Sequence, residues 1–271
     1  LVWMCFSLSA QKTLDLSGKW SFSIDRQDKG EKEKWFNHTL NDCIHLPGSM
    51  PEKLKGDEVT AKTRWTGSLY DSSYYYNPYM EKYRKESNIK FPFFLTPDKH
   101  YVGAAWYQKE VNVPADWKGE RILLFLERPH IETTVWVNGQ KAGMQNSLCV
   151  PHQYDITRYV RPGKCNITIR VDNRIKEINV GPDSHSITDQ TQGNWNGIVG
   201  RICLQTTPKT FFDDIQIYPE PEQKQARVKV VIKGAGTAKV KLSAESFNTD
   251  KKHIVPAIQL SLIHISEPTR H

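Results

Sequence analysis

The fold is decided by one stretch, Thr133-Thr-Val-Trp-Val-Asn-Gly-Gln-Lys-Ala-Gly143, in which two short strand-like runs flank Asn138-Gly139. Asn followed by Gly readily adopts the positive φ angles that a two-residue hairpin turn requires. The flanking runs alternate with a period of two, as strands do. The stretch therefore predicts an antiparallel hairpin in which Trp136 is a core residue and Val135 and Val137 lie on the opposite face of the strand.

The same period of two recurs along the chain and predicts an all-β protein. Turn residues separate the runs, as at Pro114-Ala-Asp-Trp117 and Arg161-Pro-Gly163. Further strands are predicted at Tyr107–Val113, Arg121–Glu127, Ile167–Asp172, Asp214–Tyr218, Arg227–Ile232 and Thr237–Leu242.

The alternation fails between Gly48 and Ala105, where a long polar and aromatic stretch includes Ser68–Tyr76 and Lys90–Phe94. Loops of this length are usually functional or disordered. The aromatic content argues against disorder, because such side chains find surfaces to pack on.

Composition and charge exclude several classes of protein. The chain has 271 residues, of which 38% are hydrophobic and 25% charged, as in a soluble globular protein. Its net charge of +7 is scattered among both signs, so no basic stripe for nucleic acid is present. No apolar run approaches the roughly 20 residues that span a bilayer. The eight Trp and eleven Tyr residues can fill cores or stack on the C–H faces of sugars.

The two ends are expected to lie outside the fold. Residues Leu1–Ala10 resemble the back half of a secretory signal, which predicts a secreted or periplasmic protein that begins near Gln11. A buried first strand is the alternative. Residues Leu260–Arg270 resemble the translation of a sequencing adapter, so we expect the gene to have been cut there. A short native strand and tail is the alternative.

Four cysteines remain after Gln11: Cys43, Cys149, Cys165 and Cys203. They are widely spaced and lack metal-type CxxC pairs. Free buried cysteines are expected, although an exported protein permits disulfides, and three pairings stay open. No metal or other cofactor is expected.

Seven short motifs occur in the order seen in the sugar-binding domain of family 2 glycoside hydrolases, the β-galactosidase, β-glucuronidase and β-mannosidase group. The resemblance covers about Leu16 to Thr206. The motifs are Ser17-Gly-Lys-Trp20, Ile44-His-Leu-Pro-Gly48, Ala105-Trp-Tyr107, Val135-Trp-Val-Asn-Gly139, Tyr154-Asp-Ile-Thr157, Val171-Asp-Asn173 and Asn194-Trp-Asn-Gly-Ile-Val-Gly-Arg201. Within them, Asp155 and Thr157 are suited to capping a short turn, which is a structural role.

The resemblance implies a galactose-binding-like jelly-roll β-sandwich at residues 11–212, followed by the start of an immunoglobulin-like β-sandwich at residues 213–259. Residues 1–10 and 260–271 are then the signal remnant and the adapter. An immunoglobulin-like domain needs about 100 residues, so the second domain is expected to be incomplete.

The resemblance also implies that a loop of the first domain borders the active site of a catalytic barrel. The acidic residue that contacts substrate hydroxyls there is most similar to Asp189, followed by Gln190. A carboxylate forms short, strong hydrogen bonds with hydroxyls, although a solvated loop Asp is the alternative. Further substrate-binding candidates are His185, Asn194, Arg64, Trp65, Lys99, His100 and Tyr101.

Retaining glycosidases need two carboxyl groups about 5–5.5 Å apart. The resemblance places both on the barrel, which follows these domains, so the chain itself is expected to bind a β-glycoside without hydrolysing it. The expected partners are that carbohydrate and the barrel of the same protein. β-Galactoside is the first expectation, ahead of β-mannoside, β-glucuronide or a pectin-derived sugar. A stand-alone carbohydrate-binding module and a structural interaction domain are the alternatives.

Overall fold

The computed structural model describes residues 11–65, 73–91, 96–176, 193–234, 238–245 and 254–262. The chain divides into two compact units. Residues 13–205 form the first unit, and the chain from Thr206 onward, together with Lys12, belongs to the second. The domain boundary expected at residues 212 and 213 stays a prediction.

The described residues of the first unit form thirteen strands, and two of these form the hairpin that Asn138-Gly139 predicts. In chain order the strands are β1 (Thr13–Asp15), β2 (Gly18–Asp25), β3 (Asp42–Leu46), β4 (Gly48–Ser49), β5 (Asp57–Glu58), β6 (Lys99–His100), β7 (Ala104–Val113), β8 (Arg121–Pro129), β9 (Glu132–Val137), β10 (Gln140–Asn146), β11 (His152–Asp155), β12 (Gly163–Asp172) and β13 (Gly197–Thr207).

Two sheets form the body of this unit. The larger sheet has the order β10-β9-β12-β7-β2-β3, and each neighbouring pair in it is antiparallel. The smaller has the order β1-β13-β8-β11, with β4 paired to β13. The β9–β10 hairpin turns at Asn138 and Gly139 with φ angles of 50° and 78°, which confirms the turn predicted from the sequence.

The main core lies between the two sheets. The larger sheet contributes Trp20, Tyr107 and Ile167, and the smaller contributes Leu124 and Leu204, all almost fully buried. Each such side chain contributes roughly 1.5–3 kcal/mol by leaving water. The expected all-β sandwich is therefore confirmed.

The outer face of the larger sheet is also covered. Alternation along β9 places Val135 and Val137 in the main core and Trp136 on the other face, as predicted. There Trp136 stacks on Trp106 at 5.0 Å and on Phe36 at 5.0 Å. We call this set the outer aromatic cluster; it consists of Trp35, Phe36, Leu40, Trp106 and Trp136.

The irregular stretch between β4 and β7 packs on itself. Strands β5 and β6 of this stretch pair with each other, and an α-helical turn, α1, spans Ser73–Tyr76. Burial of Tyr74 and Phe91 agrees with the expectation that its aromatic residues pack. The 3₁₀ turns of the described chain are Trp35–Asn37, Pro78–Tyr83, Glu86–Asn88, Ala115–Trp117, Thr157–Tyr159 and Pro221–Gln223. None of the helices in these ranges is long and apolar enough to cross a bilayer.

In the part of the second unit that the structure describes, two antiparallel hairpins are present. They are formed by β14 (Phe211–Glu220) with β15 (Gln225–Lys233), and by β16 (Ala238–Glu245) with β17 (Ile254–Leu262). Strand β17 extends three residues into segment 260–271, whose assignment to an adapter stays a prediction.

Cysteine burial differs from the expectation. Cys165 and Cys203 are free and buried as expected, but Cys149 is exposed and Cys43 is half-buried. Cys149 lies in the connection between β10 and β11, where the chain turns at the surface. Burial raises the pKa of Cys165 to about 11, so that thiol stays protonated.

Candidate functional site

A cleft of about 760 Å³ lies in the first unit. Its volume falls within the range of small-molecule binding pockets. Three parts of the described chain line it: the end of β4 with the residues that follow, the irregular stretch before β6, and the start of β13 with the loop that leads into it. They include Ser49, Pro51, Lys90, Phe91, Asn194 and Trp195.

Buried asparagines fix the loop that leads into β13. Asn194 is 4% exposed and donates a hydrogen bond from Nδ2 to the carbonyl of Asn173 at 3.1 Å. Asn173 in turn donates to the carbonyl of Tyr101 and accepts from the Gly103 amide, both at 2.8 Å. These hydrogen bonds hold together the segments around residues 101–103, 173 and 194, which are far apart in the sequence.

Asn196 forms a second set of hydrogen bonds that holds this loop in place. Its Oδ1 accepts from the Tyr107 hydroxyl at 2.7 Å, and its Nδ2 donates to the carbonyls of Gly103 and Val171 at 2.9 and 3.0 Å. Its own carbonyl accepts from the Met50 amide at 2.7 Å. With Asn194 and Asn196 facing inward, Trp195 between them borders the cleft.

Trp195 rests on a histidine. The ring of His130 stacks on the indole with centroids 4.5 Å apart and an interplanar angle of 23°. Burial lowers the pKa of His130 to about 4, opposed by a hydrogen bond with the Asn194 side chain. The imidazole is therefore neutral near pH 7, and the indole is supported from one side.

A row of contacting aromatic rings supports Phe91. The Phe91 ring stacks on Tyr74 at 5.0 Å and meets Trp65 edge-on at 4.9 Å. Trp65 then meets His100 edge-on at 4.8 Å. The backbone of Lys90 is held by a 3.1 Å hydrogen bond from its amide to the carbonyl of Tyr83, while its side chain is exposed.

Lys90 carries the charge of the cleft, because the other described side chains that line it are uncharged. Phe91, Pro51, Pro97 and Trp195 give it apolar walls, and Ser49 and Asn194 add polar groups. Apolar walls with a few polar groups are typical of small-molecule pockets.

A buried ionic network lies where the chain leaves β12. Asp172 is fully buried and accepts from Arg174 Nε at 2.9 Å, and its carboxylate lies 3.0 Å from Arg170 and 2.8 Å from Lys176. Burial by itself raises the pKa of Asp172, but the hydrogen bonds from Arg174 and Lys176 and the charge of Arg170 hold it well below its usual range. The network fixes residues 173–176, directly before segment 177–192.

The structure separates the substrate-binding candidates. Asp189, Gln190 and His185 lie outside the described residues. Asn194 lines the cleft. These assignments stay predictions.

The candidates from the irregular stretch lie apart from the cleft lining described above. Trp65 and His100 contact each other behind Phe91, and Arg64 is exposed. Lys99 forms an ion pair with Glu58. Tyr101 is buried, and its hydroxyl donates to the Ala104 carbonyl at 2.8 Å.

Sequence reasoning missed Lys90, Phe91, Trp195 and His130. The aromatic run that begins at Lys90 pointed towards Lys90 and Phe91, and the Asn194–Arg201 motif contains Trp195, but neither signal includes His130. Among the residues that the structure describes, no three His, Cys, Asp or Glu side chains form a group that could hold a metal ion.

Comparison with known proteins identifies relatives by sequence. The family model for the glycosyl hydrolases family 2 sugar binding domain matches residues 13–208. A β-glucuronidase from Paenibacillus borealis is 26% identical over 218 residues, which cover 75% of this chain and 30% of that protein. Human β-glucuronidase is 27% identical over 263 residues, covering 88% of this chain and 35% of that protein. The chain thus spans about a third of the length of these curated relatives.

Solved structures show the same fold. A β-glucuronidase from an uncultured Clostridium matches with a TM-score of 0.58 at 19% identity, covering 95% of this chain and 40% of that chain. Ruminococcus gnavus β-glucuronidase in complex with D-glucaro-d-lactam matches with a TM-score of 0.59 at 16% identity, again over 95% and 40%. Because the family model spans well over half of the sequence, the chain belongs to glycoside hydrolase family 2, and residues 13–208 are its sugar-binding domain.

Proposed function

We propose that this chain is the non-catalytic, substrate-holding part of a β-glucuronidase-type enzyme. The observation that carries the proposal is the cleft in the sugar-binding domain, which is lined by the aromatic residues Trp195 and Phe91 and by the polar residue Ser49. Aromatic faces pack against the C–H surface of a pyranose, while polar groups bind its hydroxyls.

Segment 177–192 completes the proposal. It ends directly before Gly193, which lines the cleft, and it contains Asp189 and Gln190. We assign these two residues to the substrate hydroxyls, since a carboxylate accepts short, strong hydrogen bonds. His185 on the same segment is a further candidate.

The hydrolytic step is assigned to a part of the protein outside these residues. Retaining hydrolysis requires two carboxyl groups about 5–5.5 Å apart, and the resemblance places them on a separate barrel. The chain spans about a third of its curated relatives, which supports this assignment. Those relatives are β-glucuronidases, which favours a β-glucuronide over the β-galactoside expected from the sequence motifs.

The experiment compares the 271-residue chain with the product of the longer gene that contains it. Both are assayed on p-nitrophenyl β-glucuronide, β-galactoside and β-mannoside. We expect hydrolysis of the β-glucuronide by the longer protein and by no preparation of the chain alone. Preferred hydrolysis of another glycoside would refute the assignment of a β-glucuronide as substrate. A longer gene that encodes no catalytic domain would refute the assignment to an enzyme.

Asp189 is tested in the same longer protein. The variant Asp189→Asn keeps the shape of the side chain and removes its charge, so we expect the second-order rate constant kcat/KM to fall by about 10- to 100-fold. Asp98→Asn, at an exposed position, is the matched control and should leave the constant unchanged.

Export to the periplasm or the cell exterior is the proposed localisation, supported by the apolar character of Leu1–Ala10. Fractionation of cells that express the longer gene tests it. Activity in the periplasm or medium is expected, and activity retained in the cytoplasm would refute it.

A further inference from the structure

We propose that a second pocket of the first unit, on the outer face of the larger sheet, binds a neutral sugar unit. Its volume is about 360 Å³, which is within the range of small-molecule pockets. We call it the outer pocket; the residues that line it include Ser23, Glu33, Trp35, His38, Thr39 and Asn41. It shares no described lining residue with the cleft, so this proposal goes beyond the function proposed above and does not depend on it.

The outer pocket is formed by β2 and by the segment of residues 33–41. Ser23 on β2 is paired with Trp106 on β7, and residues directly opposite each other lie on the same face of a sheet. Trp106 belongs to the outer aromatic cluster, as does Leu40, which also lines the pocket. The outer pocket therefore lies on the side of the sheet that faces away from the main core.

The backbone around the outer pocket is fixed by buried Asp25. Its side chain accepts hydrogen bonds from the Gly30 amide at 2.8 Å and from Trp106 Nε1 at 3.0 Å. The Gly30 carbonyl accepts from the Trp35 amide at 2.8 Å, and the Trp35 carbonyl accepts from the His38 amide at 3.1 Å. Because this segment is already ordered, a ligand that binds here has little ordering cost to overcome.

The indole of Trp35 is held by two contacts. Its Nε1 donates to Glu33 Oε2 at 3.0 Å, and its ring centroid lies 6.1 Å from that of Trp106. Trp35 is only partly buried, so part of its surface remains accessible to a ligand. Aromatic surface of this kind packs on the C–H groups of a pyranose.

The other polar side chains of the lining are available to a ligand. Those of Ser23, His38, Thr39 and Asn41 form no hydrogen bond with any other residue that the structure describes. Hydroxyl and amide groups both donate and accept hydrogen bonds, as the hydroxyls of a sugar do. The outer pocket thus combines aromatic surface with several groups that match a hydroxyl-rich ligand.

The charges at the outer pocket favour a neutral ligand over an ionic one. Its described lining contains a carboxylate, Glu33, and neither Lys nor Arg, so an anion would meet a like charge without a compensating cation. Lys32 and Lys34, both exposed, are next to Glu33 in the sequence and offset its attraction for a cation. The Glu33 carboxylate keeps acceptor sites beyond the one that Trp35 occupies, and a sugar hydroxyl can donate to them.

The test titrates the isotope-labelled 271-residue chain with methyl β-D-glucoside and follows the amide chemical shifts of residues 33–41 by NMR. We expect saturable shifts with a dissociation constant of about 1–10 mM, as for a small, shallow site. The matched cationic probe is methyl 2-amino-2-deoxy-β-D-glucoside, which differs only at C2. Its affinity should lie within about threefold of that of the glucoside, because an exposed ion pair contributes little.

Three variants locate the binding. Asn41→Ala, at an exposed position, should weaken it about three- to tenfold through the loss of hydrogen bonds, and Asn112→Ala, exposed on β7, is the matched control and should leave it unchanged. Glu33→Gln keeps the shape of the side chain and removes its charge, so it should weaken binding about threefold. Trp35→Ala should weaken binding further, and the two variants at exposed positions keep the test decisive if that protein fails to fold.

The outcomes separate this proposal from the proposed function. Absence of saturable shifts at residues 33–41, or unchanged affinity in both Asn41→Ala and Glu33→Gln, would overturn the outer pocket as a sugar site and leave the cleft unaffected. Binding of the amino sugar more than about tenfold more tightly than the glucoside would also overturn it, since the pocket would then be a cation site. Saturable shifts at residues 33–41 that Asn41→Ala weakens would support the outer pocket, whatever the cleft binds.

Discussion

His130 and Trp195 form one stacked pair in which the buried, neutral imidazole supports an indole that borders the cleft. The pair joins a residue at the end of the β8 region to one in the loop before β13. Protonation of His130 would place a charge beneath the indole in a site that is 8% exposed. The geometry of the cleft is therefore coupled to the charge of a residue behind it.

We predict a loss of stability in mild acid because of this pair. The pKa of a free histidine is about 6.5, whereas that of His130 in the folded protein is about 4. Between these two pH values the unfolded chain therefore binds a proton at this residue that the folded chain does not. The free energy of unfolding should fall by up to about 3 kcal/mol across this window and level off below it. Urea unfolding at a series of pH values measures it.

The variant His130→Phe keeps a flat ring and removes the proton site, so it should flatten this part of the pH profile. Some slope should remain, because burial also lowers the pKa of His152. His45→Phe, at an exposed position in β3, should keep the wild-type slope. An unchanged slope in His130→Phe would contradict the assignment.

Asn196→Ala should destabilise the sandwich strongly. The substitution leaves the buried Tyr107 hydroxyl and the carbonyls of Gly103 and Val171 without their Asn196 partner. We expect a loss of about 3 kcal/mol in the free energy of unfolding. Asn112→Ala, at an exposed position of β7, should change it by less than about 0.5 kcal/mol. Similar values for the two variants would disprove the role of Asn196 as a tie.

Asp172→Asn should break the buried ionic network. Its carboxylate faces Arg170, Arg174 and Lys176, and removal of one partner from a buried network costs about 3–5 kcal/mol. Because the pKa of Asp172 is depressed, its contribution is complete above about pH 4 and declines as the pH falls further. Thermal unfolding at pH 7 measures the loss, with the exposed Asp98→Asn as control.

Gly197→Ala should be far more damaging than Gly119→Ala. Both glycines have positive φ angles, +144° and +84°. A Cβ at Gly197 would lie 2.5 Å from the Gly48 carbonyl oxygen, whereas a Cβ at Gly119 meets nothing within 4 Å. The φ strain costs about 1 kcal/mol in both, and the backbone clash adds about 1–3 kcal/mol at Gly197. Equal melting temperatures of the two variants would contradict this.

Local patterns made much of the sandwich predictable. The Asn138-Gly139 turn, the burial of Trp136 and the capping of the turn at Thr157 by Asp155 each depend on residues close in sequence. Thr157 donates from its amide to Asp155 Oδ1 at 3.1 Å, which confirms that cap. Period-two alternation cannot show that a second surface is covered, however. Thr168 and Arg170 alternate with the core residues of β12, yet both are buried on the outer face.

The cleft was harder to predict because its walls are distant in sequence. Lys90 and Trp195 line the same space only because buried asparagines fix one wall and an aromatic chain fixes the other. Trp65 and His100 are substrate-binding candidates in the sequence, and the structure adds that their rings meet edge-on at 4.8 Å. Such contacts depend on which side chains meet when distant parts of the chain fold together. The periodicity of a single sequence does not predict them.

The outer aromatic cluster also gives this protein an optical signature. Trp106 and Trp136 stack with centroids 5.0 Å apart and an interplanar angle of 29°, close enough for their electronic transitions to couple. Coupled indoles give a pair of circular dichroism bands of opposite sign. Because Trp106 lies on β7 and Trp136 on β9, those bands report side-chain packing on the outer face of the larger sheet, whereas the peptide signal reports the strands themselves. One spectrum thus follows the loosening of that face separately from the melting of the sandwich.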